Sequence, residues 1–359
     1  METKKKLIEL GESVVEDIEK QKNPSIKLPI RTLSNIYFDE KSKLIRLGSK
    51  TSRRQYLNIA HTRKFMQTLL VAAECKKIIE QGVTTSIRDL YYALKHTIPG
   101  TKENTFEEQD ESDPIIEDLE ASLDVLREQL NLEAARRGYM VGNITIEDFG
   151  DTIDCRKLGS GGWGVPSRIE NDVIKFKECE ADFVLFIEKD AVFSRLNQDK
   201  FWEKFNCILI TGQGMAPRGV RRLINRLHKE LKLPIYVLTD ADVWGYYIYS
   251  VIKQGSINLS FLSDRLGTPE AKFIGLTTRD VNKFNIAKNV TIKLNKRDEK
   301  RAKELLGYIW FKPKEWQNEI KHMLEVGYKL ELESLSSKGI KFITQKYLPE
   351  KLKNKDFLP

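Results

Sequence analysis

Two rhythms of apolar and polar residues divide this chain. Up to about residue 130 the apolar positions recur every three or four residues, the period of a helix with one buried face. From Arg63, KFMQTLLVAAECKKIIEQG predicts a helix that Gly82 stops. SIRDLYYALKHT predicts a second, opened by Ser86, with Asp89 three residues on in a capping-box arrangement. A third starts at Asp113 and Pro114, an N-cap followed by proline, and carries Ile116, Leu119, Leu123, Leu126 and Leu130 on one stripe. YMVGNITIED then reads as a hairpin turning at Gly142 and Asn143. Three helices and a hairpin are the outline of a winged helix, a CAP-like variant of the helix-turn-helix plan. Ahead of them, the charged helix LIELGESVVEDIEK and two strand-like runs flanking the turn DEKS make a small arm.

Beyond residue 180 the grammar changes. ADFVLFIEKD, NCILITGQG and PIYVLTDAD are short apolar runs separated by helical stretches such as GVRRLINRLHKEL, and strands alternating with helices predict βαβ units around a mostly parallel sheet. Between the two regimes lies GDTIDCRKLGSGGWGVPSR, whose glycines predict a linker. The tail from about Lys300 reads as charged helices packed on the α/β domain. The expected organisation is therefore an α+β and α/β multidomain chain: an arm over 1–62, a winged-helix domain over 63–150, a linker over 151–180, and an α/β domain with a helical extension over 181–359.

Composition adds bounds. The 359 residues, 40% hydrophobic, suffice for about two globular cores. Lys and Arg number 60 against 52 Asp and Glu, a net charge of +8, which favours a polyanionic partner, although a solvated surface gives the same balance. Cys75, Cys155, Cys179 and Cys207 lie far apart with no CxxC, which argues against a zinc site or a disulfide framework and for a reducing compartment. The N-terminus has no apolar h-region and no apolar run approaches membrane length, so a soluble, cytoplasmic protein without membrane association is expected.

Two predicted strands end in acid, FVLFIE at Glu188 and YVLTDAD at Asp240 and Asp242. Side chains at i and i+2 of an extended chain point the same way, and ligand sites of open α/β sheets lie at the carboxyl ends of strands. Three carboxylates from two strands would meet there. A few hard oxygen ligands suit Mg2+, which keeps much of its water and takes other ligands from phosphate. An acidic turn would explain an isolated DxD equally well; a glutamate ending a second strand argues against it. His61, His96, His228 and His322 have no metal-like spacing.

The combination of FIEKDAVF, the glycine loop TGQGMAPRGVRR and TDADVWG resembles the Toprim domain of topoisomerases, primases and nucleases. RDLYY in the helical segment ahead of it narrows the resemblance to the A subunits of type IIB topoisomerases and their relatives that make meiotic double-strand breaks. Val243 and Val220 depart from the family's usual proline and threonine, while Glu188, Asp240, Asp242 and Gly245 match. The resemblance implies that one tyrosine of RDLYY attacks DNA. Helical phase assigns Ile87, Leu90, Tyr91 and Leu94 to the buried stripe and turns Tyr92 outward, on the face of Arg88 and Lys95. A phenol with pKa near 10 is a poor nucleophile, and neighbouring cations favour its phenolate and hold phosphate.

The resemblance further implies transesterification through Tyr92 assisted by Arg88, a 5′-phosphotyrosyl link, and Mg2+ on Glu188, Asp240 and Asp242. It also implies phosphate contacts by Arg221, with Arg218, Arg222 and Lys95 as further DNA contacts; a solvated helix start remains the alternative for Arg218 and Arg222. One tyrosine per chain implies a homodimer for a double-strand break. No GxxxxGK[ST] stretch is present, so ATP would be handled by a separate ATPase B subunit in an A2B2 assembly. A meiotic-type break maker shares these residues, and a hydrolytic Toprim nuclease would need no tyrosine.

Overall fold

The computed structural model describes residues 2–359. Its contacts divide the chain into two compact units, one of 2–37, 47–135 and 257–261, the other of 38–46, 136–256 and 262–359.

The first unit holds helices α1 (Glu2–Glu19), α2 (Ile59–Gln81), α3 (Ile87–Leu94) and α4 (Ser112–Leu123). The strand Ser25–Pro29 pairs antiparallel with Thr51–Gln55. Start and stop signals act as the sequence leads one to expect. Asn58 caps α2 by accepting from Ala60 N, and Gly82 ends it in the left-handed region at φ 66°. Ser86 Oγ accepts from Asp89 N at 2.9 Å, opening α3. Leu7, Val71, Cys75, Ile78, Leu90, Tyr91, Phe106, Ile116, Leu119 and Leu130 make one core, each large aliphatic side chain contributing about 1.5–3 kcal/mol by its removal from water.

Three local expectations need correction. The apolar stripe from Ile116 to Leu130 is split: Asp124 takes a left-handed conformation at φ 49° and ends α4, and Leu130 enters the core from a separate 3-10 turn, Arg127–Leu130. The arm over 1–62 is no separate body through residue 37, because Leu7, Val14, Ile26 and Leu28 are buried in the cores of the helical unit. The hairpin at Gly142 does not form. Tyr139–Gly142 pairs antiparallel with Cys207–Thr211, whereas Ile144–Asp148 pairs with Asp151–Asp154 and Ile174–Cys179 in a three-stranded sheet. Gly142, at φ 134°, carries the crossing between sheets; a Cβ there would lie 2.3 Å from the Cys207 carbonyl oxygen. The stretch 151–180, expected as a linker, thus supplies two strands of that small sheet and a third short strand, Trp163–Gly164.

The second unit is built on a six-stranded sheet in the order Trp163–Gly164, Tyr139–Gly142, Cys207–Thr211, Phe183–Ile187, Ile235–Leu238, Lys272–Gly275. The last four strands are mutually parallel; Tyr139–Gly142 runs antiparallel to both its neighbours, Cys207–Thr211 and Trp163–Gly164. Every residue of Phe183–Ile187 and Cys207–Thr211 is buried, as expected for parallel strands covered on both faces by crossover helices. Those helices include α5 (Asp190–Gln198), α6 (Phe201–Lys204), α7 (Arg218–Leu231) and α8 (Val243–Gln254). The tail packs on this unit: Trp316, in the helix Lys314–Val326, stacks on Tyr249 with centroids 5.2 Å apart and meets Tyr246 and Phe273 edge-on. Among the described residues no helix is long and apolar enough to cross a membrane.

Candidate active site

The parallel register sets Ile187 opposite Leu238, so the residues after each strand emerge side by side. Glu188 N donates to the Leu238 carbonyl at 3.0 Å, and Asp240 N donates to Glu188 Oε2 at 3.0 Å. Extended backbone continues past the strand because Ala241 bridges Leu330 in both directions. Asp242, at φ −143° and ψ 172°, is still extended and becomes the N-cap of α8, its Oδ1 accepting from Trp244 N at 2.9 Å and Gly245 N at 2.7 Å. The glycine of this segment is required by close approach. A Cβ on Gly245 would stand 2.3 Å from the Asp240 carbonyl oxygen and 2.8 Å from Thr239 Oγ1. The glycine loop is fastened to the same strand end by Gly214 N, which donates to the Glu188 carbonyl at 2.8 Å.

Electrostatically the site is short of positive charge. Burial pushes the Glu188 carboxyl up to about 7, and the Asp240 charge adds to the rise. Burial likewise raises Asp240 to about 6 against the opposing pull of the Leu332 N–H and Lys189. Asp242 is raised by burial too, with the Gly245 N–H opposing. Lys329 opposes the rise at Asp242, and a second cation is built in beside Asp240. Lys189 Nζ lies 3.1 Å from Asp240 Oδ2, 3.2 Å from Glu333 Oε2 and 3.5 Å from Glu331 Oε2. Burial lowers the Lys189 pKa, but Asp240 and Glu333 outweigh it and the net shift is upward.

Lys189, Glu331, Glu333 and the Leu332 N–H, which donates to Asp240 Oδ1 at 2.8 Å, were not identified from the sequence. The only hint is a lysine directly after the strand-ending glutamate. Its acidic partners Glu331 and Glu333 lie some 140 residues further on.

Could these groups hold a divalent ion? Among the described residues no three His, Cys, Asp or Glu side chains converge closely enough to cage one by themselves. Asp240 Oδ1 and Asp242 Oδ1 are engaged by backbone N–H groups. Hard carboxylate oxygens whose pKa values are raised chiefly by burial nevertheless fit Mg2+, which binds through one or two carboxylates and completes its shell with water and substrate phosphate.

The basic residues named from the sequence have varied surroundings. Arg218 opens α7 and is half-buried. Arg221 lies inside α7, as the helical reading of GVRRLINRLHKEL expects, and is 5% exposed. Its charge opposes the burial that raises the nearby Tyr247 pKa. Arg222 turns away from solvent to Glu170, with Nε at 3.3 Å and Nη2 at 3.1 Å from its two oxygens. That two-pronged pair leaves it poorly disposed to take a phosphate.

On the helical unit, α3 has the phase the sequence predicts. Tyr91 is 6% exposed and Tyr92 59%. The two rings meet edge-on with centroids 5.0 Å apart, and the Arg88 guanidinium lies 6.0 Å from the Tyr92 centroid. Lys95 departs from the expected flank of Tyr92. Its Nζ donates to Tyr91 Oη at 2.8 Å and to the Glu107 carbonyl at 2.6 Å. The helix ends at Leu94, so Lys95 leaves the helical phase and its ammonium follows the nearest unsatisfied oxygens.

Comparison with known families gives three consecutive matches. Residues 63–132 match the type IIB DNA topoisomerase family, residues 137–180 the all-beta domain of the DNA topoisomerase VI alpha chain, and residues 183–352 the Toprim domain common to Spo11 and the A subunit of topoisomerase 6. The second covers the region that forms the small three-stranded sheet. Among curated proteins, the chain is 49% identical to the A subunit of type 2 DNA topoisomerase 6 from Pyrococcus horikoshii, over 99% of this chain and 95% of that one. Proteins of the same name from Saccharolobus shibatae and Methanocaldococcus jannaschii are 43% and 39% identical, over 96% and 98% of this chain and 93% and 94% of theirs.

Proposed function

Since the chain belongs to the A-subunit family of type IIB DNA topoisomerases, we propose that Tyr92 is its nucleophile and that Glu188, Asp240 and Asp242 form its Mg2+ site. The chain is the DNA-cleaving and rejoining catalytic subunit of a type II topoisomerase. The observation that carries the site assignment is the pairing of two strand ends that sets Glu188 Oε2 against Asp240 N, with Asp242 two residues on.

Cleavage proceeds as an exchange of esters. Tyr92 Oη gives up its proton and attacks a backbone phosphorus; the bond from phosphorus to the 3′ oxygen breaks, and that oxygen takes up a proton. The product is a 5′-phosphotyrosyl link and a free 3′ hydroxyl, equal in number of phosphoester bonds to the substrate, so resealing needs no further energy. Arg88, beside the Tyr92 ring, supplies positive charge for the phenolate and the incoming phosphate. Bound Mg2+ would supply Lewis-acid stabilisation of the phosphoryl oxygens and the departing 3′ oxygen. Lys189 fixes Asp240 before any ion arrives. The helices α2, α3 and α4, without the hairpin expected as a wing, are read as the helical module that presents Tyr92 to duplex DNA. Arg218 and Arg221, both on α7, are read as phosphate contacts from the family resemblance, while Arg222 pairs with Glu170 and Lys95 with Tyr91.

Cutting both strands takes two tyrosines and hence a homodimer. Strand passage draws on ATP through a separate B subunit in an A2B2 assembly, docked on the N-terminal segment. Exposed Val15, Ile18, Leu57 and Ile59 support that last assignment. The test is denaturant trapping of protein linked to DNA. Tyr92→Phe should abolish the adduct while DNA binding persists, and Tyr91→Phe should retain it. Cleaved ends without adduct would indicate hydrolysis instead, and adduct formation by Tyr92→Phe would overturn the assignment. The chain alone should not relax supercoils; relaxation should require ATP together with the B subunit.

A further inference from the structure

Trp244 follows the second aspartate of the carboxylate site by two residues and stands half exposed at 50%, an unusual position for so large an apolar surface. It is not loose. The Arg301 guanidinium, in the helix Lys296–Gly307, lies 5.5 Å from the Trp244 ring, 4.6 Å from Tyr247 and 5.7 Å from Tyr308. Arg301 is itself pinned by Glu304 at 2.9 Å and by the Tyr308 hydroxyl at 3.2 Å. The backbone of Trp244 is held by Asp242. A rigid indole is thus presented to solvent at the head of α8. The helix that supports it presents Lys296, Arg297, Lys300 and Lys303 to solvent. The same helix also exposes Glu299 and Glu304, so the feature that carries the argument is the exposed indole held by one guanidinium; an aromatic face with an adjacent cation is the chemistry that holds unstacked bases along a phosphate backbone.

Building on the site assignment above, we infer that Trp244 is a stacking platform for a nucleobase of the DNA strand at the cleaved linkage, with Arg301 as its positioning residue. Duplex bases are already stacked on one another, so this contact requires one base step at the break to open. Apolar side chains inserted between base steps open duplexes in this way in other DNA complexes. The consequence is a role in choosing where the chain cuts: steps that unstack easily would be favoured.

The test uses the full chain assembled with its ATPase partner. Abasic sites are placed one at a time at the nucleotides flanking a mapped break, and cleavage is compared between wild type and Trp244→Ala, Trp244→Leu and Trp244→Phe. A stacking role predicts that Trp244→Ala and Trp244→Leu lose on the order of tenfold in cleavage and redistribute the break positions, while Trp244→Phe keeps both. At one flanking position the abasic site should cost the wild type a similar factor and cost Trp244→Leu nothing further. Additive losses at every position, or an unchanged break pattern in folded Trp244→Leu, would overturn the proposal. Should Trp244→Ala fail to fold, the Leu and Phe pair still decides. Asp242→Ala reads the underlying site separately: if it cleaves normally the carboxylate assignment falls, whatever the coupling between Trp244 and the abasic position shows.

Discussion

Replacing Glu188 by glutamine should stabilise the metal-free protein at neutral pH while destroying cleavage. The carboxyl sits at about 7 in the fold against an ordinary 4.5. At about 1.4 kcal/mol for each tenfold in proton affinity, that gap corresponds to about 3 kcal/mol against the ionised fold. The folded state holds its proton to higher pH than the unfolded chain, so the contribution is fully favourable below about 4.5 and is lost as pH rises through about 7. Glutamine keeps an oxygen to accept the Asp240 N–H and carries no charge. Urea unfolding of the Toprim unit in EDTA should therefore show wild type losing stability between pH 5 and 8. The variant should lose only the share that Asp240 and Asp242 still contribute and lie above wild type by up to about 3 kcal/mol at pH 8. Mg2+ should narrow the difference by stabilising wild type more. A variant less stable than wild type at pH 8, or parallel pH profiles, would refute the claim that an uncompensated buried charge sits there.

Two other substitutions probe the frame. Gly245→Ala puts a Cβ against the Asp240 carbonyl and should cost about 1–3 kcal/mol through overpacking, with cleavage falling further than stability because α8 carries Asp242; thermal melts and trapped adduct read the two effects. Arg222→Ala should leave the salt dependence of DNA binding unchanged, because its guanidinium is committed to Glu170, and a shallower slope in a salt titration would show that it does meet phosphate.

The features legible in the chain are those set by neighbours in sequence. The phase of α3 buries Tyr91 and exposes Tyr92 without help from anything distant, since one face of an eight-residue amphipathic helix must meet the core. The cap at Ser86 and the stop at Gly82 are likewise local. So is the grouping of strand-ending acids, because βαβ connection brings the carboxyl ends of neighbouring parallel strands to one edge.

Where the outcome turned on pairing between remote segments, sequence periodicity misled. The turn-like glycine at 142 suggested a hairpin, but Met140 and Val141 are both buried, and a strand apolar on both faces is more stable inside the large sheet beside Cys207–Thr211 than on a solvated wing. The glycine-rich stretch after it gained ladder partners in Ile144–Asp148 that no local signal announces.

The sequence by itself determined the helical phase that turns Tyr92 outward, the helix caps, and which acids end which strands, because each rests on contacts within a turn or a strand. The tertiary structure alone decided that Lys189 compensates Asp240, that Arg222 is spent on Glu170, that Lys95 turns to Tyr91, and that Arg301 clamps Trp244. A charged side chain takes the partner that burial and packing leave nearest to it. That choice is made across tens of residues of chain, where neither periodicity nor composition carries a signal.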